Sequence, residues 1–258
     1  AYHPYLNPYT DGVPYKTEFD ESFRNRKGVW YPVWCDFAKS KIDHKDFASR
    51  IFTNVGAMEM DDTDLLELEY AFFLLQNDAM SLDMPMLFDD LFTADEMLAW
   101  WEIDNLKYFQ QKGPWTPNLG RPWKKGALML DQILESSKEH LKNGAKNGLY
   151  LRLGHDGCIM AILAEMEADK WGVETEDPAK VKDLWQTYLI PMATFFNFNF
   201  YRNPNDPNAP ILVKVLLNGN AMELPLQAVS DKCYKWDDLY SHYKAKIAKD
   251  VKALVDTA

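Results

Sequence analysis

Long apolar runs are missing from this chain of 258 residues. The richest, Leu65 to Leu75, is broken by Glu67 and Glu69. Nothing approaches the roughly 18 unbroken apolar residues that a membrane-spanning helix needs, so a membrane span is excluded. Cysteine is scarce. Cys35, Cys158 and Cys233 lie far apart without metal-ligand spacing, which excludes a zinc ribbon and a disulfide-dependent scaffold and allows one disulfide at most. No Asn-x-Ser/Thr acceptor occurs, so N-glycosylation has no foothold. Positive charge is in deficit: 28 Lys and Arg stand against 39 Asp and Glu, a net charge of −11. Such a surface repels polyphosphate backbones at long range and argues against general nucleic-acid binding. A small anion stays compatible, because a local cluster of donors outweighs a distant field. The opening Ala1-Tyr2-His3-Pro4 has no charged-then-apolar leader and reads as the middle of a longer polypeptide.

What is present is the balance of a globular protein, 47% hydrophobic and 26% charged. Residues 1–18, with Pro4, Pro8 and Pro14 among tyrosines, read as an extended strap. Residues 19–143 read as mostly helical. Leu65, Leu68, Phe72, Leu75, Ala79 and Leu82 recur at spacings of three and four and predict one buried face. Thr93 and Glu96 fit a capping box, followed by Met97, Trp101 and Tyr108 on one side, and Gly113-Pro114 stops that helix. Ala127, Leu130, Leu134, Ser137 and Leu141 paint the face of another, ended by Asn143-Gly144.

The pattern changes at Gly148. Leu149-Tyr150-Leu151-Arg152-Leu153-Gly154 alternates with period two, which predicts a strand running into His155-Asp156-Gly157 and a helix over 158–166. Asp177-Pro178 opens a helix through Val181, Leu184, Trp185 and Tyr188. Residues 193–201 alternate Phe with Asn as a strand. Residues 211–224, turning at Asn218-Gly219, predict a hairpin with a type I′ turn. An amphipathic helix carrying Trp236, Leu239, Tyr243, Ile247 and Leu254 closes the chain. The expected architecture has two parts: an extended lead-in with a mostly helical cap (1–143), and an α/β sheet domain (144–258). The second part has too few strands for a doubly covered sheet.

The candidate site is Gly154-His155-Asp156, at a strand-to-helix junction where open α/β sheets bind ligands and free helix N–H groups favour an anion. The imidazole can donate to a phosphoryl oxygen. The carboxyl can protonate a leaving alkoxide when neighbouring negative charge helps it keep its proton. Helical phosphohydrolases use His-Asp pairs for metal, but they need further His and Asp ligands, and His3, His44, His140 and His242 sit in unrelated contexts. No metal or cofactor is expected. Arg152, alternating with leucines, is expected partly buried with an ion partner. Arg121, Lys124 and Lys125 form the compact basic cluster at a helix start: a phosphate-binding group, or a solvated helix end.

Residues 148–161, Gly-Leu-Tyr-Leu-Arg-Leu-Gly-His-Asp-Gly-Cys-Ile-Met-Ala, resemble the C-terminal His-Asp motif of the histidine acid phosphatases, closest to the multiple inositol polyphosphate phosphatase-like group. The resemblance extends through 188–202, 211–218 and 234–238, and more loosely through Trp100 to Pro122. It implies a histidine phosphatase (phosphoglycerate mutase-like) fold and hydrolysis of phosphomonoesters, phytate among them. It implies that His155 binds phosphate and Asp156 is the general acid, with export to a periplasm or the exterior. Many inositol-phosphate members carry glutamate where Asp156 stands. The family's Arg-His-Gly-x-Arg nucleophile motif has no counterpart, since no histidine here is preceded by Arg and followed by Gly. The nucleophile is therefore expected on a missing N-terminal segment of the same protein. A non-catalytic phosphatase-fold protein that binds anionic or sugar ligands through Arg121, Lys124 and Lys125 is the alternative. An isolated chain of this kind is expected to expose an apolar face and to be poorly soluble.

Overall fold

The computed structural model describes residues 26–57, 59–79, 82–84, 90–118, 121–142 and 148–255. The proline-rich strap and Asn143-Gly144 lie outside them. Four helices build the first part: α1 (Trp30–Lys41), α2 (His44–Ile51), α3 (Asp62–Ala79) and α4 (Ala94–Lys112). Their starts follow from local chemistry. The Asp43 side chain accepts from the Lys45 and Asp46 amides ahead of α2, and the Thr93–Glu96 capping box forms at α4 as its spacing predicts. Gly113 caps the end of α4. α1 packs on α4, where the Trp34 indole donates to the Ile103 carbonyl at 3.1 Å.

The buried face of α3 differs from the expected one. Leu65, Leu66, Glu69, Phe73 and Ala79 are buried, while Leu75 and Leu82 are exposed. The cause is Glu69, which accepts from the Trp100 indole at 2.7 Å and pairs with His44 Nδ1 at 2.7 Å. A carboxylate so satisfied tolerates full burial, and the helix turns to supply it. On α4 the core residues are Trp100, Ile103, Leu106 and Phe109, one position off the expected Met97, Trp101 and Tyr108, which are half-buried.

Two further helices follow, α5 (Arg121–Lys142) and α6 (Asp156–Glu165). Ala127, Leu130 and Leu134 are buried as expected. Gly126 lets α5 and α6 meet backbone to backbone: a Cβ there would lie 2.3 Å from the Ala161 carbonyl oxygen. Ahead of α6 the structure corrects the sequence reading. Residues 148–155 form no strand, and Leu149, Leu151 and Leu153 are 76%, 76% and 86% exposed. Alternation alone makes no strand: the backbone must pair, and every strand among the described residues pairs elsewhere. Arg152 is likewise exposed rather than buried, and donates to the neutral Ser136 hydroxyl at 2.5 Å instead of an acid.

The helix expected from Asp177 to Tyr188 is mostly replaced by turns. Asp177 caps it as expected, accepting from the Ala179 amide, but the α-helical part is only α7 (Val181–Leu184). Asn105 on α4 ends it. Its amide donates to the Trp185 carbonyl at 2.6 Å and its oxygen accepts from the Thr187 amide at 3.0 Å, taking both groups out of any helical ladder.

The sheet is small and antiparallel: β1 (Phe196–Tyr201), β2 (Leu212–Leu217), β3 (Asn220–Ala221) and β4 (Tyr234–Lys235), with β2 pairing all the others. β1 and β2 pair from Phe196 with Leu217 to Tyr201 with Leu212. Asn218 and Gly219 both have positive φ, 49° and 84°, as a type I′ turn requires. The last helix, α8 (Trp236–Val255), buries Trp236, Leu239, Tyr243 and Ile247. Its Tyr243 hydroxyl donates to the Met166 carbonyl at 2.8 Å, tying α8 to the end of α6. The architecture is thus a helical assembly with a small antiparallel sheet. All three cysteines are buried and free, so the disulfide their number allowed is not made. Among the described residues no helix is long and apolar enough to cross a membrane.

Candidate functional site

His155 is the N-cap of α6 and Asp156 its first residue. His155 makes no side-chain cap bond, so the imidazole is not spent on the helix end. The Asp156 carboxylate accepts from the Gly157 amide at 2.7 Å. Both residues are exposed, whereas every residue from Gly157 to Glu165 except Ile159 is buried. The pair is thus a polar tip on an otherwise core helix.

α4 packs against α6. Asp104, Tyr108 and Lys112 stand four residues apart, on one face of α4. All three are half-buried. Asp156 bears electrostatically on Asp104 and Tyr108, and Lys112 on Asp104 and the Cys158 thiol, so this stripe lies within electrostatic range of the start of α6. The Lys112 ammonium lies 4.1 Å from the centroid of the Tyr108 ring. Tyr70 donates to Asp104 at 2.6 Å and accepts from Lys107 at 3.0 Å. Burial raises Asp104 above the ordinary aspartate range against the opposing Tyr70 bond, and burial with the Asp104 charge raises Tyr108. Burial also pushes the Cys158 thiol up to about 12, which keeps it a neutral core group rather than a nucleophile. The residues that sequence reasoning missed are therefore Asp104, Tyr108 and Lys112. Their i, i+4, i+8 spacing was visible, but nothing local says which helix will face them.

The basic cluster is not brought to this tip as a set. Lys124 is mostly buried and pairs with Asp250 on α8 at 3.4 Å. Lys125 is half-buried, and the Arg121 side chain lies outside the described residues. Next to Lys124, Glu165 at the far end of α6 is fully buried, and burial pushes it up to about 8, with Asp250 contributing in the same direction. Lys246 pairs with the buried Asp250 at 3.4 Å and with the exposed Glu167 at 3.0 Å, so charges cluster around the far end of α6. Among the described residues no group of three or more His, Cys, Asp or Glu could hold a metal ion.

A carboxyl and an imidazole presented together can grip an anionic oxygen and exchange a proton with a leaving group. Compared with protein-family models and with curated proteins, the chain finds no match.

Proposed function

We propose that this chain is the larger part of a phosphomonoester hydrolase of histidine acid phosphatase type, acting on phytate-like or other small phosphate esters. The observation that carries this reading is the presentation of His155 and Asp156, side by side and exposed, at the start of a core helix that packs against α4. In this reading His155 donates an N–H to a non-bridging phosphoryl oxygen. A nucleophilic histidine on polypeptide outside these residues attacks phosphorus as the P–O ester bond breaks. Asp156 gives its proton to the departing alkoxide, which leaves as the alcohol. Its carboxylate then takes a proton from the water that hydrolyses the phosphohistidine, and phosphate is released.

The unpaired stretch 148–154 supports the same reading. Its leucines alternate as in a strand yet lie in solvent, as expected if further strands of the same protein pair with it. The histidine phosphatase fold, the missing N-terminal segment and export from the cytoplasm belong to this proposal. The binding-protein alternative loses support where Lys124 is bound to Asp250.

The test is Asp156→Asn in the full-length protein, assayed on an alkyl phosphate and on nitrophenyl phosphate. In the first turnover, where phosphoryl transfer is read alone, the expected loss is about 10²- to 10⁴-fold on the alkyl ester, which needs a proton on its leaving oxygen, and much smaller on the aryl ester. Equal rates for variant and wild type on the alkyl ester remove Asp156 from the role.

A further inference from the structure

β1 is an open edge: among the described residues it pairs with β2 alone. The alternation of main-chain bonds along β2 fixes which groups of β1 face outward. Odd-numbered residues of β2 and its lead-in serve the other neighbours, Val215 accepting from the Met222 amide and Ile211 from the Trp236 amide, each at 2.9 Å. The alternate residues Leu212, Lys214 and Leu216 therefore exchange their bonds with Tyr201, Asn199 and Asn197 of β1. The Asn218 amide, which donates to the Phe195 carbonyl at 2.9 Å, continues that alternation. The N–H and C=O groups of Phe196, Phe198 and Phe200 are left pointing to the open edge.

Edges of this kind are ordinarily blunted by charge, proline or a bulge. Residues 195–201, Phe-Phe-Asn-Phe-Asn-Phe-Tyr, hold no charge and no proline, and β1 pairs with β2 residue for residue, without a bulge. In a chain of net charge −11, a neutral edge is a place where two copies meet without like charges in contact. The run is also a chemical palindrome about Phe198: Asn197 matches Asn199, Phe196 matches Phe200, and Phe195 matches Tyr201. A twofold antiparallel pairing centred on Phe198 thus sets like on like at every position. Phe196, Phe198 and Phe200 pack against the core and form the hydrogen-bonded pairs, using the groups that point outward. Phe195 and Tyr201, 53% and 48% exposed, meet at both ends as aromatic cross-strand pairs.

We infer that β1 is a self-recognition edge, joining two copies of this chain in a twofold antiparallel seam with Phe198 opposite Phe198 and Phe195 opposite Tyr201 of the second copy. The seam does not rest on the hydrolase reading. Two single variants of the 258-residue chain test it, Phe195→Cys and Tyr201→Cys, each oxidised with diamide alone and then as an equimolar mixture. In this register the two positions form a non-hydrogen-bonded pair with Cα atoms about 4.5 Å apart, inside disulfide reach. Like positions lie about 20 Å apart along the strand, well outside it. The native Cys35, Cys158 and Cys233 are buried. The mixture should give a disulfide-linked dimer joining position 195 to position 201, about tenfold or more above either variant alone. The link should persist when Leu149, Leu151 and Leu153 are changed to serine, which separates the seam from association through that stretch. No linked dimer in the mixture, as much of it in either variant alone, or its loss in the serine background overturns the inference.

Discussion

At the scale of the residue, the most exposed physics is in the most buried group. Glu165 has no solvent contact, and its acid form is favoured to about pH 8 against the ordinary 4.5. The folded chain therefore keeps a proton that the unfolded chain releases between those values. Stability from this group is full below about 4.5, falls as pH rises, and levels off above about 8, a change on the order of 5 kcal/mol. Urea unfolding from pH 5 to 9 should show that fall in the wild type and a flatter profile in Glu165→Gln. Parallel profiles would place the proton elsewhere. Asn105 is a neutral counterpart. Fully buried, it satisfies the Trp185 carbonyl and the Thr187 amide, so Asn105→Ala strands both and should cost about 2–4 kcal/mol by the same assay. Neither role was legible beforehand, because a buried polar residue is recognised only through partners far away in sequence. Glu69 misled for that reason: its partners His44 and Trp100 stand 25 and 31 positions away, and they turned α3 off its apparent apolar stripe.

At the scale of the element, features encoded in a few neighbouring residues were legible. Asn218-Gly219 specified the type I′ turn, because both positions need positive φ. Thr93 and Glu96 specified the start of α4, and Phe196 to Tyr201 with Leu212 to Leu217 specified a paired hairpin of strands. The stretch 149–153 carried an equally regular pattern and failed, since a strand is a property of two segments and none of the described strands pairs with it. The same dependence on a neighbour makes Gly126 informative. Alanine is the better helix former by about 1 kcal/mol, yet its Cβ would meet the Ala161 backbone at 2.3 Å. Gly126→Ala should therefore lower stability by about 1–3 kcal/mol by forcing α5 from α6, a result that thermal unfolding will show as a lower Tm. A rise in Tm would mean that the two helices do not approach so closely.

At the scale of the whole molecule, the His155–Asp156 pair was legible as a dipeptide, but its surroundings were not. The stripe of Asp104, Tyr108 and Lys112 comes within electrostatic range of Asp156 because α4 packs on α6, while the Lys124 side of the basic cluster is spent on Asp250. The apolar segment leading to the pair predicts how the 258-residue chain behaves. With Leu149, Leu151 and Leu153 in solvent, it should self-associate in sedimentation at micromolar concentration, and changing all three to serine should raise its monomer fraction. The same triple change in the full-length protein should lower stability, if those leucines become covered there.

The hydrolase account comes down to a covalent intermediate resolved with the help of Asp156. Rapid-quench mixing of the full-length Asp156→Asn protein with labelled nitrophenyl phosphate measures it directly. The account predicts a burst of nitrophenol equal to the enzyme, followed by slow turnover, with the label on a histidine as an acid-labile phosphoramidate. Linear release at the wild-type rate, with no labelled histidine in either protein, would contradict it.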